Sequence, residues 1–279
     1  MATAPTKPTP APKKESSSSG ASGLFATLAI PICIVIGILI YLFILGDPSH
    51  YAGGDVDHGE PSDLFGTMHK GGVLVPLVMS YVLMVIVFSI ERFIVIGKAS
   101  GTSSVDAFVK KIQSFLNTGN IDAAAAECDK QKGSVANVIK AGLKKYKEVE
   151  NDTTMDIDQK TLAIQKDIEE ATALEMPMLE QNLTIIATLV SIGTLTGLLG
   201  TVVGMIKAFK ELSGSATNTA ALSAAISEAL VNTALGISTS ALSIVMYNVF
   251  TSKIDGLTYA IDETGFSIVQ TFAASHKNK

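Results

Sequence analysis

The residues with chemistry to offer lie between Gly197 and Phe250, where two long apolar stretches are sown with hydroxyls, glycines and a single deep acid. That acid is Glu228. A carboxyl held inside an apolar segment can take and release a proton, bind a cation or pair with a polar group on a neighbouring helix. Before it, on a helix advancing about 100° per residue, Val190, Thr194, Gly197, Thr201 and Met205 fall on one stripe, and Gly193, Gly197, Gly200 and Gly204 on an overlapping small-residue face. Around it, six Ser or Thr fall from Ser227 to Ser243, Thr233 among them, with Asn232 alongside. Lipid asks for none of these residues. Close helix packing, a hydrated path or a polar partner helix would ask for all of them. Two blander uses stay open: each hydroxyl can bond its own backbone carbonyl, and Glu228 can reach water or pair with Lys207 or Lys210. The helical wheel adds a constraint, since Glu228, Asn232, Leu235 and Thr239 fall together while Thr233 points roughly 140° away. A straight helix therefore cannot aim Glu228 and Thr233 at one lumen.

The elements that must position these groups are membrane helices. In 279 residues, 47% are hydrophobic and 17% charged, and mean hydropathy is +0.38, the balance of an all-α polytopic membrane protein in a lipid bilayer. Trp is absent, leaving Tyr41, Tyr81 and Tyr247 as interfacial aromatics or as buried packing groups. A net charge of -5 without a basic tract excludes nucleic acid as a partner. Cys33 and Cys128 read as two unpaired thiols, with no disulfide framework and no metal site. No nucleophile with a base, phosphate loop or metal cluster appears, so the sequence reads as a non-enzyme that needs no cofactor.

Along the chain, residues 1–23 have the Pro, Ser and Thr bias of a disordered tail. Residues 24–45 are long enough to span a core that needs roughly 20, and exceed a signal-peptide core of roughly 7 to 15, so a retained helix is expected. Residues 46–71 form a polar loop with His50, Asp55, Asp57 and His58, whose spacing matches no metal-ligand pattern and whose Gly53, Gly54 and Gly59 imply flexibility. A second span covers 72–97, with Pro76 near its start and Glu91 and Arg92 at its end. Residues 98–181 read as a helical domain rich in charge, with Val105, Phe108, Ile112, Phe115 and Leu116 on one face, a stop at Gly133 and a long helix from near Gln159 that Pro177 kinks or bounds. The third span is 182–209, the hairpin 210–219, the fourth span 220–250, and a C-terminal helix and tail cover 251–279. Lysine and arginine crowd the 98–181 region, with eleven, against one in the 46–71 loop and none from Glu211 to Val249. That asymmetry puts both termini and the large domain in the cytoplasm.

The run GLLGTVVGMIKAF, residues 197–209, followed by ISEALVNTALGISTSALSIVMYNVF, residues 226–250, resembles the last two membrane helices of the MotA/TolQ/ExbB proton-channel family, its ExbB/TolQ branch above all. SIERF at Ser89 to Phe93, and GNIDAAAAEC with AGL in the charged domain, support the likeness, which extends over residues 72–272. The resemblance implies a bacterial inner-membrane motor subunit forming a pentameric ring around an ExbD/TolR-type single-span subunit. It implies that a proton crosses by way of an Asp on that partner, and that the motion passes to a TonB-like or TolA-like protein working on the outer membrane. On the matching positions it implies Thr201, Glu228 and Thr233 as path residues; Thr194 and Asn232, which depart from the family pattern, are expected to join them, with Glu91 and Arg92 as the cytoplasmic anchor. The 24–45 helix has no counterpart in the three-helix form and is expected at the ring periphery. Gly193, Thr194 and Leu195 stand where members often carry Ala-Pro-Phe, which implies a straighter helix. A stator of another rotary or gliding motor, and a scaffold whose small-residue faces serve assembly alone, are the alternative readings.

Overall fold

A computed structural model describes residues 19–56, 59–212 and 219–276. Most of the expected tail, Asp57 and His58 of the polar loop, and most of the 210–219 hairpin lie outside the described residues. Among the described residues the regular elements are all helical, and four helices are long and apolar enough to cross a membrane. The chain is an all-α polytopic membrane protein.

The first helix, α1 (Ser19–Leu39), widens into a π turn over Ile40–Leu45 and so contains the expected 24–45 span. The loop after it is folded, despite its glycines. Tyr51 pairs with Pro61 in an isolated bridge, His50 meets Asp63 at 2.6 Å, and Asp63 caps the short α2 (Leu64–His69) through the Gly66 N–H. Gly72, at φ +79°, turns the chain into α3 (Val75–Ser100), so this span starts three residues later than its apolar run suggests. Pro76 sits in the first turn, where its missing N–H costs no bond.

Four helices then form the charged domain: α4 (Val105–Asn117), α5 (Ile121–Gln131), α6 (Gly133–Glu150) and α7 (Ile157–Glu180). The expected apolar face of α4 buries Phe108, Ile112 and Leu116. Gly133 opens α6 where a stop was expected. Lys132 at φ +57° makes the break, and Gly133 at φ +82° lies so close to Ala99 O that a Cβ there would sit 2.4 Å away. Asp156 caps α7 reciprocally with Gln159, which fixes its start two residues before the expected one. Pro177 lies inside α7 without ending it. The break comes at Gln181–Asn182, with Asn182 at φ +63°, before α8 (Leu183–Leu212).

The last helix, α9 (Thr219–His276), carries the fourth span and the C-terminal helix as one rod of 58 residues, about 87 Å long at 1.5 Å per residue. Its far half supplies Leu257, Ile261, Ile268 and Phe272 to the core of the charged domain, against residues such as Ile139, Leu143 and Ile164. One rigid element thus joins the apolar bundle to the charged domain.

Candidate functional site

The site is the antiparallel seam between α8 and α9. Along α8, Gly193, Gly197, Gly200 and Gly204 abut α9. A Cβ at Gly200 would lie 2.4 Å from Asn232 Cβ, and one at Gly204 2.6 Å from Ala229 Cβ. At the centre two glycines face each other, a Cβ on Gly236 falling 2.7 Å from Gly197 Cα. Backbones this close gain dispersion contact along the whole seam and bring carbonyls of one helix within reach of hydroxyls on the other.

Two hydroxyls use that reach. Thr194 and Ser240 meet at 2.7 Å, with Ser240 also donating to Val190 O at 2.6 Å, and Thr233 donates to Gly197 O at 3.2 Å. Thr201 instead donates to Leu198 O on its own helix at 2.6 Å, and Thr239 and Ser243 are buried and likewise bonded to their own helix. The register set by Thr194–Ser240 and Gly204–Ala229 puts Thr201 level with Thr233, and both are half-buried. Thr194, Thr201 and Thr233 therefore share one edge of the seam.

Glu228 and Asn232 turn to the other side, as the wheel requires. The Glu228 carboxylate lies against Gly72 and takes Lys207 Nζ at 2.6 and 2.8 Å on its two oxygens. Asn232, expected on the path, is instead wholly buried within the protomer: its Nδ2 donates to Gly71 O at 2.7 Å and to Glu228 O at 3.0 Å. The missing side chain of Gly200 makes the space for it. Asn232 thus ties α9 to the turn before α3 and lines no open surface.

At the opposite end of the span Arg92 is buried completely. Its Nε and Nη2 bind the two Glu91 oxygens at 2.6 and 2.5 Å, and Nη1 donates to Met178 O at 3.2 Å and Leu179 O at 3.0 Å. Those carbonyls belong to the last turn of α7, which has no intrahelical donors left for them. The guanidinium caps that helix and complements its negative end. Sequence reasoning marked Gly193, Gly197, Gly200 and Gly204 but passed over their counterpart, the series Ala225, Ala229, Asn232, Gly236 and Ser240 on α9. The signal was there, in small or polar residues recurring at intervals of three and four.

The family model of the MotA/TolQ/ExbB proton channels matches residues 130–263, which takes in α8 and all of the α9 seam. Over that stretch the chain is similar to that family. Within it, the ExbB/TolQ branch supplies the relatives. A putative ExbB-like biopolymer transport protein of Synechocystis is 38% identical over 88 residues, covering 30% of this chain and 42% of its own length. The Tol-Pal system protein TolQ of Pseudomonas aeruginosa is 26% identical over 204 residues, covering 71% of this chain and 86% of its own. Against the ExbB/TolQ pattern the unbroken α8 accords with the absence of proline before GLLGT. The additional helix α1 packs on α3, its Gly37 close against Ser80, and leaves Leu28, Ile32, Leu42 and Phe43 exposed. Among the described residues no group of three or more His, Cys, Asp or Glu is placed to hold a metal.

Proposed function

We propose that the chain is the ring-forming subunit of an inner-membrane motor that converts proton motive force into work on a TonB-like or TolA-like partner. The observation that carries the reading is the shared edge of Thr194, Thr201 and Thr233: Thr201 level with Thr233 across two tightly packed helices and Thr194 two turns along the same edge, in spans whose sequence holds no Asp. Such an edge can solvate and pass a proton but has no carboxylate to carry it. The ExbD/TolR-type single-span subunit supplies that carrier as an intramembrane Asp. Five copies around it form the path, with α1 outermost toward lipid and both termini in the cytoplasm.

Within this reading Thr201 and Thr233 line the path. Glu228, paired with Lys207, shapes the charge at the outer mouth. Arg92 and Glu91 hold the cytoplasmic end of the α3–α7–α8 junction fixed while the charged domain, joined through α9, takes the load. The glycine seam equally favours a second reading, a scaffold whose small faces serve assembly alone. Reconstitution with the co-purified single-span subunit separates the two. Proton uptake into liposomes that falls at least tenfold in Thr201→Val and Thr233→Val, with the complex intact, supports the channel. Assembly without flux in the unsubstituted complex supports the scaffold.

A further inference from the structure

Where the apolar bundle meets the charged domain, two lysines stand at the end of the apolar surface. Lys98 is the first charge on α3 after the buried Arg92, and Lys253 is the first on α9 after Glu228. From Glu228 to Lys253 the helix rises about 37 Å at 1.5 Å per residue, a little more than the roughly 30 Å of a hydrocarbon core. Lys253 therefore falls at headgroup depth. Gly72 lies against Glu228 at one end, and Phe93 meets Phe250 at the other with ring centroids 4.8 Å apart. The helices α3 and α9 thus run parallel, and Gly97 and Lys98 come level with Lys253.

The two helices leave a groove between them at this level. The Lys253 ammonium lies 5.3 Å from the centroid of the Phe93 ring. One turn on along the same face of α3, Gly97 is open, with nothing within 4 Å of where a Cβ would be. Lys98 flanks that gap, and Ile90, Phe93 and Val249 are exposed below it. Among the described residues neither lysine has a carboxylate in ion-pair contact. Glu91 is taken by Arg92, and Asp255 projects from α9 about 160° round from Lys253. Two unpaired ammonium groups ask for an anion, and the apolar side chains below them ask for a chain. A free anion would answer the lysines and leave Ile90, Phe93 and Val249 uncovered. A phospholipid answers both.

We propose that the α3–α9 groove holds an anionic phospholipid, its phosphate against Gly97 between Lys98 and Lys253 and an acyl chain along Phe93 and Ile90. Among the described residues no unpaired carboxylate stands beside the lysines to receive the cationic end of a zwitterionic headgroup, so the groove selects lipids of net negative charge. Bound there, the lipid braces α3 against α9 just where the charged domain begins. The chain has no tryptophan, so Ile90→Trp places a single reporter in the groove. The full chain carrying it is reconstituted in phosphatidylcholine vesicles, and quenching by brominated phosphatidylglycerol is compared with quenching by brominated phosphatidylcholine. The expected result is a preference for phosphatidylglycerol that falls about fivefold with either Lys98→Gln or Lys253→Gln, the change that about 1 kcal/mol per lysine gives. Ile36→Trp, on the exposed face of α1, is the control, and there the two lipids should quench equally. Equal quenching at Ile90→Trp overturns the proposal, as does a preference that survives replacement of both lysines. Quenching by neither lipid overturns it too, because another copy or another protein then covers the groove.

Discussion

Replacing Gly236 with alanine tests the seam at its tightest point. A Cβ there would lie 2.6 Å from Gly193 O and 2.7 Å from Gly197 Cα, both backbone atoms that cannot rotate away. Relief to an ordinary contact of 3.4 Å requires α8 and α9 to part by about 0.8 Å, which forfeits dispersion contact on both sides and lengthens Thr233 to Gly197 O beyond its present 3.2 Å. Overpacking of this kind costs about 1–3 kcal/mol. Alanine's better helix propensity returns at most about 1 kcal/mol. The net expectation is a loss of about 1–2 kcal/mol, and Gly256→Ala on the same helix is the control, since nothing lies within 4 Å of a Cβ there. Thermal unfolding in detergent, followed by helical circular dichroism, should place Gly236→Ala below the unsubstituted protein and Gly256→Ala at or above it. If both variants gain stability alike, the seam is not close-packed and the packing argument fails.

Three further expectations stand on other parts of the molecule. Arg92→Met leaves the Glu91 carboxylate and the Met178 and Leu179 carbonyls without their donor, at a cost of about 3–5 kcal/mol; denaturant unfolding that shifts by less than about 1 kcal/mol would show the cap to be dispensable. The Gly66 N–H, with His50 beside it, holds the Asp63 carboxyl below the usual carboxylate range. A lowered folded-state pKa means that the cap on α2 is fully in place above the ordinary Asp value of about 3.9 and is lost as pH falls through the lowered one. Hydrogen exchange at Gly66 should therefore stay slow at pH 5 and quicken only below about 4; exchange already fast at pH 5 would contradict the cap. Burial pushes the Cys128 thiol up to about 12, leaving about one in ten thousand ionised at pH 8, so maleimide should label it only after unfolding. Rapid labelling of the folded protein would contradict that burial.

Much of this architecture is legible in the sequence because a bilayer imposes length and polarity so strictly. Four apolar runs gave four spanning helices, and the alternation of Phe108, Ile112 and Leu116 gave the inner face of α4. Backbone conformations at single residues were less legible. Lys132 and Asn182 adopt left-handed φ without being glycine, and so the breaks fell there and not at Gly133 and Pro177. The 46–71 loop was read as flexible from its glycines, yet the Tyr51, His50 and Asp63 contacts that order it join residues 10 to 15 positions apart, which no local pattern announces. Within the site, the wheel separated Glu228 from Thr233 correctly. It could not show that Gly200 opens a recess for Asn232, because burial of a polar side chain depends on what the facing helix leaves out.

The central claim is that the threonine edge of the α8–α9 seam conducts protons only when a partner supplies the acid. Its most direct test is pH-dye measurement of proton flux in liposomes holding this subunit with and without the single-span partner. The account predicts flux in the complex, none above background in the ring alone, and at least a tenfold loss in the Thr201→Val/Thr233→Val complex. Equal flux with both threonines replaced would contradict it.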